Sequence, residues 1–281
     1  MGAEKLVPFR ASAISADELK RMISSRRERE FMLVDVREPQ EYKVGHLPGA
    51  RLLPLSEFEH GPPPPDLAPY TVLYCYTGVR SKRAADQLAR VLSREGIYAL
   101  DGGLNAWRGT TVQDFPNVHV FDGVGTLRDV LLRALDLEKG AHRLYEMLCE
   151  HFASSRIRPA LQELLEAEVA HGRQLYRSLQ ELDPDQTEPF ESFYMHLTGD
   201  IVENGAYLDE MLLVASEIEG DEEAALLELA LGVEYMAYDL YRNLSHRMKD
   251  DDQRKVFVAL AEHEKQHVHH VLRALDDLAR G

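Results

Sequence analysis

Thr71-Val72-Leu73-Tyr74-Cys75-Tyr76-Thr77-Gly78-Val79-Arg80-Ser81 reads as an apolar strand, a tight loop opened by a cysteine, and the entry to a helix that continues to about Glu95. A strand delivered straight into a helix is the unit of a parallel α/β sheet. The flanking sequence extends the pattern in both directions. Upstream, Ser15-Ala16-Asp17-Glu18 forms a capping box opening a helix toward Met22. Phe31-Met32-Leu33-Val34-Asp35-Val36 is a short apolar run, the mark of a buried strand. Gly45-His46-Leu47-Pro48-Gly49-Ala50 turns the chain into another short strand near Leu52, and Gly61 with Pro62 to Pro65 forms a stiff extended connection. Downstream, Ile97 to Leu100 is the next strand, and Asp101-Gly102-Gly103 turns the chain again.

The character changes at Phe115-Pro116. From Leu127 onward the pattern is almost all helical, with breaks around Ser154-Ser155, Asp183-Pro184, Glu219-Gly220-Asp221 and Lys249 to Asp252. Four main helices and a helical crossover over roughly Pro189 to Glu217 are expected. The domain reading is therefore an α/β domain over 1–114, a linker over 115–124 and an all-α bundle over 125–281. A chain of 281 residues accommodates two such cores.

Net charge is −16, and it is unevenly spread. Residues 1–115 hold 16 Lys+Arg against 15 Asp+Glu, so the helical part carries nearly the whole imbalance. That half should repel nucleic acid and anionic membranes and is suited to cations. No apolar run reaches the roughly 18 residues of a membrane span, and Met1 to Arg10 lacks the pattern of a secretory signal. The only cysteines, Cys75 and Cys149, sit in segments of different character, which argues against a disulfide and for a reducing, cytoplasmic setting.

In the loop after Cys75, backbone N–H groups can converge on the sulfur, and the following helix adds its positive end. Arg80, Lys82 and Arg83 add charge. All of these favour thiolate, the nucleophilic form. A strand-ending cysteine is more commonly an inert core residue; Gly78 and the three basic residues turn the reading toward a nucleophile.

Four stretches, in order over roughly residues 10–110, resemble the rhodanese family: Leu33-Val34-Asp35-Val36-Arg37-Glu38, Gly45 to Ala50, Cys75 to Ser81, and Gly102-Gly103-Leu104-Asn105-Ala106-Trp107. The resemblance implies that Cys75 accepts sulfane sulfur as a persulfide and passes it to a thiophilic acceptor. It implies that Tyr76, Thr77, Gly78, Val79 and Ser81 bind the transferred group, that Arg80 binds the anion, and that Asp35 and Arg37 brace the loop. The related phosphatases use a longer loop, which leaves phosphate-ester hydrolysis as a weaker alternative.

The second half repeats itself. Glu138-x-x-Ala141-x-x-x-Tyr145 matches Glu234-x-x-Ala237-x-x-x-Tyr241, and Glu166-x-Glu168-x-x-His171 matches Glu262-x-Glu264-x-x-His267, every pair at an offset of 96. Glu138 and Glu168 lie equidistant from the break near Ala153, as Glu234 and Glu264 do from Lys249, so each pair falls level in an antiparallel hairpin. Glu168 with His171 and Glu264 with His267 share a helical face at i,i+3. Four carboxylates and two imidazoles form the ligand set of di-iron and di-manganese bundles. Two divalent ions would cancel the four charges, which otherwise repel, and these ligand types suit iron or manganese. Tyr145 and Tyr241 are expected to pack the bundle, with hydrogen bonding near the metals as the alternative. Glu166 and Glu262 are expected to face outward or to stand behind the ligands rather than bind, and His142, His263, His269 and His270 to lie at the surface. Glu203 is a competing ligand, ranked lower because it has no partner at the 96 offset.

This half resembles the ferritin-like superfamily, nearest the rubrerythrin or erythrin branch, over roughly residues 125–278. The resemblance implies a bundle holding two iron ions at Glu138, Glu168, His171, Glu234, Glu264 and His267, with peroxide or dioxygen reduction or iron oxidation as its chemistry. Two departures stand out: the chain has no four-cysteine rubredoxin site, and residue 237 is Ala where a further carboxylate would stand. The expected partners are thiosulfate, persulfides and thiols, an external electron donor, and a second copy in a homodimer. The rival readings are an iron-binding protein whose first domain only docks partners, and a sulfurtransferase whose helical half only dimerises.

Overall fold

A computed structural model describes residues 9–60, 62–153, 155–219 and 222–280. The sequence readings at Met1 to Pro8, Gly61, Ser154 and Gly220-Asp221 lie outside the described residues. The chain divides into two compact units, Met1–Phe115 and Pro116–Gly281.

In the first unit β1 (Ser12–Ile14), β2 (Phe31–Asp35), β3 (Arg51–Leu52), β4 (Tyr70–Tyr74) and β5 (Ile97–Leu100) form one sheet in the order β1-β5-β4-β2-β3. All four pairings are parallel. Side chains alternate along β4: Val72 and Tyr74 pack with Leu33 and Leu19 on one face, while Leu73 and Cys75 pack with Val34, Ala84 and Leu88 on the other. Burial on both faces explains why β2 and β4 read as continuous apolar runs. The flanking helices are α1 (Ala16–Ser25), α2 (Pro39–Val44), α3 (Leu55–His60), α4 (Val79–Leu92) and α5 (Gly103–Ala106). The Ser15–Glu18 capping box opens α1. α4 begins two residues before the expected Ser81 and stops at Leu92, where Ser93 turns left-handed at φ 48°.

The second unit is largely helical. Its long helices are α6 (Leu127–His151), α7 (Arg158–Leu182), α10 (Glu222–Arg247) and α11 (Asp251–Arg280). α6 packs along α7 and α10 along α11, and α11 also meets α6 and α7. The expected crossover splits into α8 (Phe190–His196) and α9 (Leu208–Ser216), because the chain between them pairs Ile201 with Tyr207 in a short hairpin. Two apolar clusters fill the interior. α6 and α11 run from the first cluster (Leu135, Leu260) into the second (Leu144, Val271), whereas α7 and α10 run the opposite way, from Leu164 and Val233 into Leu175 and Leu240. Two parallel helices following one another require the long crossover. Where the clusters meet, a belt of carboxylates crosses the interior. Among the described residues, no helix is long and apolar enough to cross a membrane.

The expected linker over 115–124 is corrected. Val118–Phe121 forms a 3-10 turn, and Phe121 is buried edge-on against Phe257 with ring centroids 5.0 Å apart. The apolar side chains at 118, 120 and 121 belong to the helical core, so this segment opens the second unit.

Candidate functional sites

Cys75 ends β4 at the carboxyl edge of the sheet, where α/β folds place their ligands. Its thiol is free and only 1% exposed. The Gly78 N–H donates to Sγ at 3.2 Å, and the Ser81 hydroxyl lies 3.6 Å away, within reach of either Sγ or the Gly78 carbonyl at 3.1 Å. Burial would push the thiol up, but the Ser81 N–H and hydroxyl and the Thr77 and Gly78 N–H groups outweigh it and hold the thiol below its ordinary range. The loop's own dipoles thus lead, rather than Lys82 and Arg83, which are exposed. Tyr76 and Val79 are exposed around the rim.

Arg80, expected to bind the anion, makes a bidentate pair with Glu41 of α2, at 2.7 and 2.6 Å. Arg80 holds the Glu41 carboxyl down at about 2. Glu41, first and most strongly, and then Cys75 hold Arg80 above its ordinary range against its burial, so it stays charged. Asp35 and Arg37 are both buried and paired at 2.6 Å, and Arg37 also donates to the Gly45 carbonyl at 2.7 Å. They hold the turn after α2, the helix that carries Glu41.

The loop is held from behind by the next turn. The Leu104 and Asn105 N–H groups donate to the Cys75 and Tyr76 carbonyls at 2.8 and 2.9 Å. Turning those carbonyls away leaves the N–H groups to face the sulfur. Such an approach needs Gly103: a Cβ there would lie 2.3 Å from the Cys75 carbonyl oxygen and 2.6 Å from the Gly78 nitrogen, and its φ is +59°. Gly103→Ala is therefore expected to misplace the loop and lower the alkylation rate of Cys75 at neutral pH by about 100-fold. Alkylation kinetics with circular dichroism check this; a folded variant within about twofold of wild type would contradict it.

The Ser81 hydroxyl gives a pH test. A lowered thiol pKa keeps thiolate, and reactivity, present to lower pH and loses them as pH falls through that pKa. Removing one donor raises the pKa, so Ser81→Ala should move the alkylation profile of Cys75 to higher pH by on the order of one unit. An unmoved profile would mean that the hydroxyl serves the Gly78 carbonyl instead.

The belt in the second unit brings together all six residues of the sequence-derived set: Glu138 on α6, Glu168 and His171 on α7, Glu234 on α10, and Glu264 and His267 on α11. Each of the four carboxylates is 0% exposed. His267 Nδ1 lies 3.0, 3.3 and 3.4 Å from Glu234, Glu168 and Glu264. His171 Nδ1 lies 3.5 and 3.6 Å from Glu138 and Glu168. Glu168–His171–His267, Glu138–His171–Glu264 and Glu234–Glu264–His267 each offer ligand atoms within 4.8 Å of one another.

Electrostatics show a centre short of positive charge. Burial, then neighbouring carboxylates, push Glu138 and Glu264 well above the carboxylate range, and Glu168 likewise. Glu234 goes the other way: burial would raise it, but the charge and hydrogen bond of His267 lower it. The carboxylates push His267 up to about 10 against its burial. Burial, with His263 and His267 beside it, pushes His171 down to about 2, leaving a neutral imidazole, the form that ligates metal. Both oxygens of Glu138, Glu168 and Glu264, with His171 Nδ1 and His267 Nε2, are buried without a hydrogen-bond partner. Each such orphan costs about 1–3 kcal/mol, more when charged, unless a cation or proton completes it. The donor set therefore fits a pair of metal ions.

Four expectations at this centre are corrected. Glu203, ranked lower, is fully buried and has ligand atoms within 4.8 Å of Glu138 and Glu168. Tyr145 and Tyr241 do more than pack: Tyr145 donates to Glu234, and Tyr241 donates to Glu203 at 3.1 Å. His263 is half-buried and stacks on His171 with ring centroids 4.0 Å apart, and burial pushes it down to about 4. His142, part-buried, sits 5.6 Å from the Tyr194 ring. Glu166 is exposed, as expected.

The rhodanese-like domain family matches residues 15–110, within the first unit. The chain is 42% identical over 81 residues to the uncharacterized protein YqhL of Bacillus subtilis, covering 29% of this chain and 64% of that protein. It is 46% identical over 77 residues to the uncharacterized protein slr1261 of Synechocystis sp., covering 27% of this chain and 42% of that one. It is 31% identical over 78 residues to the thiosulfate sulfurtransferase GlpE of Pseudoalteromonas translucida, covering 28% of this chain and 73% of that enzyme. The chain thus spans 64% and 42% of the lengths of the first two.

Proposed function

Because the chain belongs to the rhodanese-like family through residues 15–110, we propose that its first unit is a sulfurtransferase that moves sulfane sulfur through a Cys75 persulfide. The observation that carries this is the convergence of the Gly78 N–H and Ser81 hydroxyl on a free thiol already held below its ordinary range. The Cys75 thiolate attacks the outer sulfur of thiosulfate; the S–S bond breaks and sulfite leaves with the electron pair. An acceptor thiolate then attacks the outer sulfur of the persulfide, and Cys75 departs as thiolate. In both steps the loop N–H groups stabilise charge on sulfur without reorganising. Arg80, held by Glu41, contributes positive potential beside the loop. Persulfides are the alternative donors. Intact-mass analysis after thiosulfate treatment tests the reading: one added sulfur on Cys75 supports it, and an adduct on Cys149 alone removes it.

For the second unit the reading is a ferritin-like bundle that binds two iron ions, or manganese, through Glu138, Glu168, His171, Glu234, Glu264 and His267. Its support is the set of buried, unpartnered oxygens and nitrogens from three of the long helices, α6, α7 and α11, beside the buried Glu234 carboxylate of α10. When bound, such a pair would supply peroxide or dioxygen reduction with electrons from an external donor, or oxidation of ferrous iron by dioxygen or peroxide. The chain's own residues give that chemistry a buried setting between two apolar clusters. Tyr145 donates a hydrogen bond to the Glu234 carboxylate and so helps keep it ionised, and the stacked His263 fixes the His171 ring. Metal analysis of the purified protein tests this reading.

A further inference from the structure

Glu203 belongs to none of the four long helices; it stands at the turn of the hairpin between α8 and α9. Its presence in the carboxylate belt depends on an unusually close approach. The backbone at Ile201 lies directly on α6 at Gly140, where a Cβ would be 2.0 Å from the Ile201 carbonyl oxygen and 3.2 Å from the Val202 Cα. Glycine inside a helix costs about 1 kcal/mol relative to Ala, and here that cost coincides with contact to the segment bearing Glu203. The hairpin is also pinned from outside. Asp136 accepts from the Thr198 and Gly199 N–H groups at 3.0 and 3.1 Å, and Asn117 donates to the Gly205 carbonyl at 2.8 Å. Within it, Val202 N–H donates to Ala206 and Gly205 N–H to Val202.

The Glu203 carboxylate so delivered has two different oxygens. Oε1 accepts from the Tyr241 hydroxyl, whereas Oε2 is buried with no partner. Ala237, one turn before Tyr241 on α10, carries no carboxylate of its own. We propose that Glu203 is a further metal ligand, binding through Oε2 on the side of Glu138 and Glu168, and that its charge makes the centre favour trivalent over divalent ions. This rests on the two-metal reading above and deepens it.

Charge balance gives the direction. Four carboxylates are neutralised by two divalent ions. A fifth leaves one uncompensated negative charge, which is removed when one ion loses an electron to dioxygen, peroxide or another oxidant. Imbalance is most costly in a buried site of low dielectric. Glu203 therefore shifts the electroneutral state by one electron toward oxidation. Tyr241 keeps Oε1 occupied and Oε2 turned to the ions.

The test uses the full-length iron-loaded protein. An anomalous-scattering crystal structure of wild type should show an ion within about 2.2 Å of Glu203 Oε2. Glu203→Gln keeps the shape and removes the charge. Mediated redox titration of that variant should show the ferric-to-ferrous ratio at a fixed potential lowered at least tenfold, a rise of about 59 mV for a one-electron step, with iron still bound. An ion out of reach of Glu203, or an unchanged potential in the iron-loaded variant, overturns the proposal. If the variant does not fold, the wild-type ion position decides alone. Wild type holding less than about half an ion per chain would instead remove the two-metal reading itself, and this inference with it.

Discussion

Cys75→Ser is expected to lower sulfur transfer by at least about 10³-fold, because the hydroxyl that replaces the thiol can neither ionise at neutral pH nor form a persulfide. The fold should survive. Cys75 makes its contacts inside a packed layer with Val34, Leu73, Ala84 and Leu88, and serine is close to isosteric there. Cys149→Ser is the control. That thiol is buried among Leu144, Leu148 and Leu161, and burial pushes it up, so it is held as the unreactive form. A thiosulfate:cyanide assay should therefore show one silent variant and one of wild-type activity. Retained transfer in Cys75→Ser, or its loss in Cys149→Ser alone, would remove Cys75 from the mechanism.

The two sites were legible in the sequence to different depths, for physical reasons. β2, β4 and β5 were readable because strands buried on both faces are uninterrupted apolar runs. β1, α2, α3 and α5 are short, and tertiary contacts rather than local pattern define them, which is why Glu41 on α2 was missed as the partner of Arg80. The six-residue set was found because duplication wrote it twice at one spacing and each hairpin brings its pair level. Glu203 escaped that logic: it lies in the crossover, the part of the helical unit without a copy. Its only local signal was the echo of Glu138-Lys139-Gly140-Ala141 in Glu203-Asn204-Gly205-Ala206. Tyr145 and Tyr241 occupy matching places in the repeat, and sequence could not separate packing from hydrogen bonding because both need a buried ring. The stacking of His263 on His171 joins α11 to α7, a contact that no spacing within one helix encodes.

Removing metal is expected to have the second large effect. An ion bound only by the folded state stabilises it by about 4 kcal/mol at a thousandfold excess over its dissociation constant. Chelated protein should therefore melt well below the loaded form in its helical unit. The stripped protein should also gain a pH dependence of defined sign. Glu138, Glu168 and Glu264 are raised well above 4.5 by burial, and Glu203 to about 7. For a carboxyl raised on folding, the folded state holds its proton longer than the unfolded one. Its stabilisation is full below the unfolded value and is lost as pH rises through the folded value. Stripped protein should lose stability from about pH 4.5 upward to 7 and beyond, while loaded protein, whose carboxylates face cations instead of protons, should not. A pH-independent melting temperature after chelation would contradict this.

Glu168→Ala and Glu264→Ala each remove a charge and a ligand, whereas Glu166→Ala changes an exposed residue two positions from Glu168 and serves as the control. The most direct measurement is metal content by mass spectrometry, on protein produced with iron and manganese and never exposed to chelator. The account predicts about two ions per chain in wild type and Glu166→Ala, and clearly fewer in Glu168→Ala and Glu264→Ala. Less than about half an ion per chain in wild type, unchanged by either substitution, would mean that the carboxylate belt is not a metal centre.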